Sequence, residues 1–237
     1  MRAFVNNPGR VAGLWYLLLV LIGPLILIYI PDKLFVKDDA TATVARIVAN
    51  EGLFRAGMAA TLVSALVLIM LVMAFWRLFE GVDRRLAALV VILGGVVPVA
   101  IDFVGVAIDL ATLTVAKGPV WMAAFDTSQQ AALAMLLVKL GGHLTVASET
   151  LWGAWLLPLG ALVWRSGFLP RAIGAWLVLG GISYLALSFV GILWPPYQHV
   201  VFTWAQPAFF SEIALTLWLV VRGAPVQAVP ETHREPF

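Results

Sequence analysis

The sequence predicts an all-α fold, a polytopic membrane bundle of about six transmembrane helices. Three observations lead there. The first is composition: 62% of the 237 residues are hydrophobic and only 12% are charged, against roughly 25% charged in a soluble domain. Such a chain has too little polar surface to cover a water-facing globule, so lipid is its natural solvent. The second is run length, because several apolar stretches reach the about 20 residues needed to cross a hydrocarbon core. The third is pattern. The runs are continuous and lack the period-two alternation of barrel strands, so the spanning elements are helices.

The first span is read at residues 11–30, stopped by Pro31. It follows Arg2 and Arg10, as a signal peptide would, but no small-residue cleavage site comes after it, and it is read as a retained helix. Residues 31–50 are polar, with a short surface helix expected at 41–47. The second and third spans are read at 53–79 and 86–115, with a loop at 116–126. Asp126, Thr127 and Ser128 then offer helix caps. The apolar pattern of 129–164 is too long for one vertical span. It is read as an amphipathic lead-in and a fourth span at 142–164. The fifth and sixth spans fall at 172–193, before Pro195 and Pro196, and at 200–221. The tail at 224–237 is expected to be disordered and cytoplasmic. Pro24, Pro98, Pro158 and Pro207 lie inside spans, where each removes a backbone hydrogen bond and should kink or open its helix.

Arginines set the orientation. Arg2, Arg10, Arg77, Arg84, Arg85, Arg165, Arg171, Arg222 and Arg234 fall on the side of the termini. Lys33, Lys37, Arg46, Arg55, Lys117 and Lys139 fall on the other. The tight turns around Arg84-Arg85 and Arg165 to Arg171 carry the strongest bias. Both termini are therefore expected in the cytoplasm, with the chain in a bacterial inner (plasma) membrane. Trp76, Trp164 and Trp176 near one interface, and Trp121 and Trp194 near the other, fit an aromatic belt. Arg10-x-x-Gly13-x-Trp15 and Arg171-x-x-Gly174-x-Trp176 open the first and fifth spans alike, a short match suggesting parallel repeats.

Three stretches are distinctive: Trp155 to Pro170 with Pro158, Gly160, Arg165 and Gly167; Glu51-x-x-Phe54-Arg55-x-Gly57; and Ser211-Glu212 followed by Trp218. Together they resemble a bacterial integral membrane family, domain of unknown function 4386, over nearly the whole chain. The resemblance implies a membrane helix bundle and brings with it no cofactor and no catalytic residue.

Polar residues within spans are the best functional lead, because an ionisable group at the bilayer centre costs roughly 2.5–3.5 kcal/mol on insertion scales. At about 1.5 Å per residue, Asp102 and Glu149 lie about 25 Å from the arginine edge, and Glu212 about 15 Å. Asp109 shares the face of Asp102, while Lys139 and His143 stand above Glu149, and Gln206 lies at a similar height to Glu149. Glu51 and Arg55 are spaced i,i+4 and can pair. The polar groups thus gather in one half of the membrane. The candidate lining of a pocket is Arg55, Asp102, Asp109, His143, Glu149, Gln206 and Glu212. The competing reading is a set of structural pairs, such as Arg55 with Asp102 or Asp109.

Other chemistries find little support. The chain has no cysteine, which excludes disulfides, thiolate metal sites and cysteine nucleophiles. His143 and Glu149 sit about 120° apart on a helix, and no paired-histidine motif appears, so neither metal nor cofactor is expected. There is no nucleophile-elbow motif, no phosphate loop and no basic patch for nucleic acid. The expected partners are membrane lipid and a small-molecule or lipid head-group ligand, in a binding or sensing protein. A proton- or cation-coupled transporter is the alternative, and an intramembrane enzyme with Glu149 or Asp102 as base stands third.

Because the chain has no cysteine, single-cysteine variants report topology cleanly. Asp38→Cys and Lys117→Cys are expected to react with an impermeant maleimide in intact cells, and Asp83→Cys only after permeabilisation. The reverse pattern would invert the orientation.

Overall fold

A computed structural model describes residues 7–224. Among them are seven helices in chain order: α1 (Pro8–Leu34), α2 (Ala40–Ala49), α3 (Glu51–Phe79), α4 (Arg84–Lys117), α5 (Thr127–Ser166), α6 (Arg171–Leu193) and α7 (Gln198–Val221). All but α2 are long and apolar enough to span a bilayer. The chain is a multi-pass membrane helix bundle, as its composition predicts.

Local chemistry sets the ends. Asn7 caps α1 by accepting from the Arg10 amide at 3.1 Å, with Pro8 at the first helical position, where no amide is needed. Asp39 caps α2, Asp83 caps α4, and Asp126 with Gln129 forms a full capping box on α5. Backbone hydrogen bonds to Asp126, from Gln129 first, hold its carboxyl below the usual range. Gly118 and Gly167 close α4 and α5 in the left-handed region, at φ 59° and 73°.

Two helices depart from the sequence reading for physical reasons. Helix α1 does not stop at Pro31 but runs on to Leu34. A π turn at Leu25–Tyr29, closed by the Ile30 amide on the Leu25 carbonyl, widens the helix just before the proline. The wider turn accommodates a ring that lacks an N–H and would crowd the preceding turn. Helix α4 repeats the device: a π turn at Ile92–Val96, closed by Val97 on Ile92, precedes Pro98. The lead-in and fourth span are one continuous helix of 40 residues, about 60 Å long and twice the hydrocarbon thickness.

At one end, here called the terminal end, α1 and α7 are clasped. The Gly9 amide donates to the Ala224 carbonyl at 3.1 Å, and the Ala224 amide to Asn7 Oδ1 at 3.0 Å. The tail expected from residue 224 therefore begins with a buried, bonded residue. Residues 1–6 and 225–237, with Arg2, His233 and Arg234, lie outside the described residues. Asp83 reaches Arg165 at 2.9 Å across the same end. Above it lies the main core, with Leu71, Phe75, Phe79, Leu156, Leu159 and Leu215 each at most 1% exposed. A smaller cluster at the opposite end joins Leu34, Ile47, Phe54 and Leu113.

Helices α5 and α6 are locked by a glycine seam. A Cβ on Gly160 would stand 2.7 Å from the Gly174 carbonyl, and one on Gly153 would stand 2.6 Å from that of Gly181. The contacts are reciprocal, so the two backbones touch at both levels. Gly13 plays a similar part for α1, against Leu219 and Val220 of α7. Gly160→Ala is expected to cost about 1–3 kcal/mol by overpacking against backbone. Gly52→Ala, with no atom within 4 Å of its Cβ, is expected to be neutral or mildly stabilising. Thermal unfolding of the two variants in detergent makes the comparison, and equal midpoints would contradict the seam.

Candidate functional site

The glycine pattern also decides where the bundle is hollow. On α4, a Cβ at Gly94 would stand 2.5 Å from the Trp155 ring, and one at Gly95 would stand 2.6 Å from Val72. Helices α3, α4 and α5 therefore close tightly at that level. Higher up, Gly105 has only Leu144 at 3.8 Å, while Gly141 and Gly142 of α5 face nothing within 4 Å. A cavity of about 570 Å³ among α1, α3, α4 and α5 occupies the opened region, and one of about 520 Å³ runs beside the Gly94–Trp155 contact to reach α6 and α7. They share Ile26, Leu27, Thr61, Pro98, Asp102 and Trp152, so they adjoin there as two branches of one region. Both π turns border it, through Ile26 and Leu27 on α1 and Gly94 on α4. From Tyr16 to Pro31 its wall on α1 spans about 22 Å.

The walls are chiefly aliphatic and aromatic, with polar groups at three levels. At the rim, away from the terminal end, stand Asp109 and Lys139. Lys139 is tied at 3.3 Å to Asp38 in the segment leading to α2. Midway lie Asp102 and Thr61. Among the described residues Asp102 makes no ion pair and no side-chain hydrogen bond, and neither does Asp109. At the deep end Glu212 of α7 accepts the Tyr16 hydroxyl of α1 at 2.5 Å. Tyr184 of α6 stands on the same wall, stacked on Phe209 of α7 at 4.3 Å. Tyr16 packs edge-on against Phe75 at 5.8 Å and tilted against Trp155 at 5.9 Å, which closes the space toward the terminal end.

The residues singled out from sequence divide into those on this space and those off it. Asp102, Asp109, Gln206 and Glu212 line it. Arg55, His143 and Glu149 do not. Arg55 is exposed and held by Glu51 at 2.7 Å, and Glu51 also takes Lys117 at 2.9 Å. The i,i+4 pair expected from spacing is thus present, and the expected alternative of Arg55 with either aspartate is not. His143 is exposed on α5. Glu149 is buried, and its Oε2 has no hydrogen-bond partner. It lies in the seam where Ser188 of α6 donates to the Val146 carbonyl at 2.7 Å and meets Thr150 at 2.8 Å. Among the described residues no three His, Asp or Glu side chains gather at metal-binding range.

Comparison with known proteins gives one match: the family described as Domain of unknown function (DUF4386) covers residues 11–223. The chain belongs to this family. No curated protein and no solved structure matches it. The DUF4386 match takes in every residue on the cavity wall and all six spanning helices but the first three residues of α1.

In this DUF4386 chain the residues that sequence reasoning missed are the aromatic ones: Tyr16, Trp152, Trp155 and Tyr184. The available signal was the tyrosines. A phenol within an apolar run needs a hydrogen-bond partner once buried, and Glu212 is that partner for Tyr16. Tyr16→Phe removes the donor and leaves a buried carboxylate short of one bond, which should lower stability by about 1–3 kcal/mol. Asp102→Asn, at a charge with no protein partner, should leave the unfolding midpoint unchanged or raised. A marked loss from Asp102→Asn would mean that a structural partner holds it.

Proposed function

We propose that this protein binds an amphipathic small molecule, or a lipid by its head group, in an outward-facing pocket. It would sit in a bacterial inner membrane with both termini in the cytoplasm. Arg10, Arg77, Arg84, Arg85, Arg165, Arg171 and Arg222 lie toward the terminal end, which supports that orientation by the positive-inside rule. The rim with Asp109 and Lys139 then faces outward and the aromatic floor faces inward.

The observation that carries the reading is the branched cavity with one unpartnered acid, Asp102, on the wall of both branches. Each branch falls in the roughly 300–1,000 Å³ range of small-molecule pockets, which are mostly apolar with a few polar groups that fix orientation. An alkyl chain fits the Ile26, Leu27, Met58 and Ile101 walls, and the acids would orient its polar end. A coupled transporter is the second reading. It is favoured by the π turns and prolines that border the space on α1 and α4, where helices bend readily, and by the unpartnered buried oxygen of Glu149. Transport would require the Tyr16–Trp155 floor to open.

Trp152 stands on both branches, so its emission reports occupancy. In nanodiscs, brominated dodecyl amphiphiles are expected to quench tryptophan fluorescence saturably, and Trp152→Phe to remove the saturable part. Quenching that rises without saturation and ignores Trp152→Phe would show only partition into lipid and would sink the reading. Uptake of the same compounds into proteoliposomes would favour the transporter.

A further inference from the structure

The deep end of the cavity differs in kind from its rim, and the difference names a ligand class. Its wall carries six aromatic rings from four helices: Tyr16 of α1, Trp152 and Trp155 of α5, Tyr184 of α6, and Phe209 and Phe210 of α7. The rings brace one another. Tyr184 stacks on Phe209 at 4.3 Å and meets Trp152 edge-on at 5.9 Å, while Tyr16 leans on Trp155 at 5.9 Å. Glu212 sits between the two sets and takes the Tyr16 hydroxyl at 2.5 Å. Tyrosine hydroxyls satisfy carboxylate lone pairs but bring no positive charge. Among the described residues no lysine, arginine or histidine lines this branch, and the basic group on the adjoining branch is Lys139 at the rim, already on Asp38.

We infer that this end of the pocket is the seat of an organic ammonium head group, held by the Glu212 carboxylate and the surrounding aromatic faces. The inference rests on the pocket reading above and deepens it. Aromatic faces attract cations through their quadrupole, most effectively where water is excluded, and quaternary ammonium groups are the cations best suited to such cages. A hard divalent cation is a poor fit, because it demands six or more oxygen ligands, and this branch spreads its two carboxylates, Asp102 and Glu212, along a wall of rings and aliphatic side chains. An anionic head would meet Asp102 and Glu212 with no cation to offset them. The ligand's alkyl chain would run past Asp102 and Leu27 toward the rim, along the aliphatic part of the wall.

The direct test compares three compounds with the same dodecyl chain on the native protein in phosphatidylglycerol nanodiscs: dodecyltrimethylammonium, dodecyl maltoside and dodecyl sulfate. Each is read by Trp152-dependent quenching displacement. The ammonium compound is expected to bind at least tenfold more tightly than either of the others. Glu212→Gln should reduce that preference to under threefold, Tyr184→Leu should weaken ammonium binding about tenfold, and the exposed Glu80→Gln should change nothing. If Glu212→Gln does not purify, the three-compound comparison on the native chain decides alone. Competition by phosphatidylcholine added to the discs would assign the head group to a bilayer lipid, and its absence to a free amphiphile; either supports the ammonium seat. Equal binding of all three would overturn the inference and leave the pocket standing, as would a preference for the sulfate. Binding of none would remove the pocket itself.

Discussion

A carboxylate inside a bilayer has no bulk water to fall back on, and the architecture of this protein is largely an answer to that constraint. Each acid on the spanning helices meets it differently. Glu212 takes the Tyr16 hydroxyl from a helix distant in sequence. Asp102 is turned onto a cavity. Glu149 is folded into the α5–α6 seam with one oxygen left without a partner. The cost of burying an unpaired polar or charged group runs to several kcal/mol, so these placements weigh on the fold as well as on function. Tyr16 links the two, since it both bonds Glu212 and plugs the floor against Phe75 and Trp155.

The cavity itself is a consequence of backbone chemistry. Glycine brings helices together where a neighbour fills the missing side chain, as at Gly94, Gly153 and Gly160, and leaves a hollow where none does, as at Gly141 and Gly142. Proline with a π turn widens α1 and α4 at the level of the hollow. Tight packing below and loose packing above give a space closed toward the termini and bordered by acids along its length. That shape suits a ligand whose head travels inward while its chain trails toward the rim.

Much of this was legible in the sequence, and what was not has identifiable causes. Span number and helix type follow from local hydropathy, so they could be read from residues alone. The Glu51–Arg55 pair was legible because i,i+4 spacing is local geometry. The extent of α1 past Pro31 was not, because a proline reads as a stop unless the π turn that absorbs it is known. The continuity of α5 was not read because 129–164 exceeds one vertical crossing of the bilayer, although nothing within it breaks the helix. The gathering of Asp102, Asp109, Gln206 and Glu212 around one space could be anticipated from depth. Arg55 and His143 reach the same height but stand exposed off this space, since height along a helix says nothing of which neighbour stands opposite. The tyrosine that bonds Glu212 was missed for the same reason: Tyr16 and Glu212 are 196 positions apart, and only the packing of α1 beside α7 joins them.

The central claim is that the acid-lined space is open to water from the side away from the termini and sealed from the other. Thr61 lies on both branches at the level of Asp102, and a cysteine there would be the only one in the chain. The most direct measurement is the rate at which Thr61→Cys reacts with a charged, membrane-impermeant methanethiosulfonate, applied to right-side-out and to inside-out vesicles. The account predicts modification in right-side-out vesicles, slowed by a bound amphiphile, and none in inside-out ones. Reaction only from the inside-out face, or from neither, would contradict it.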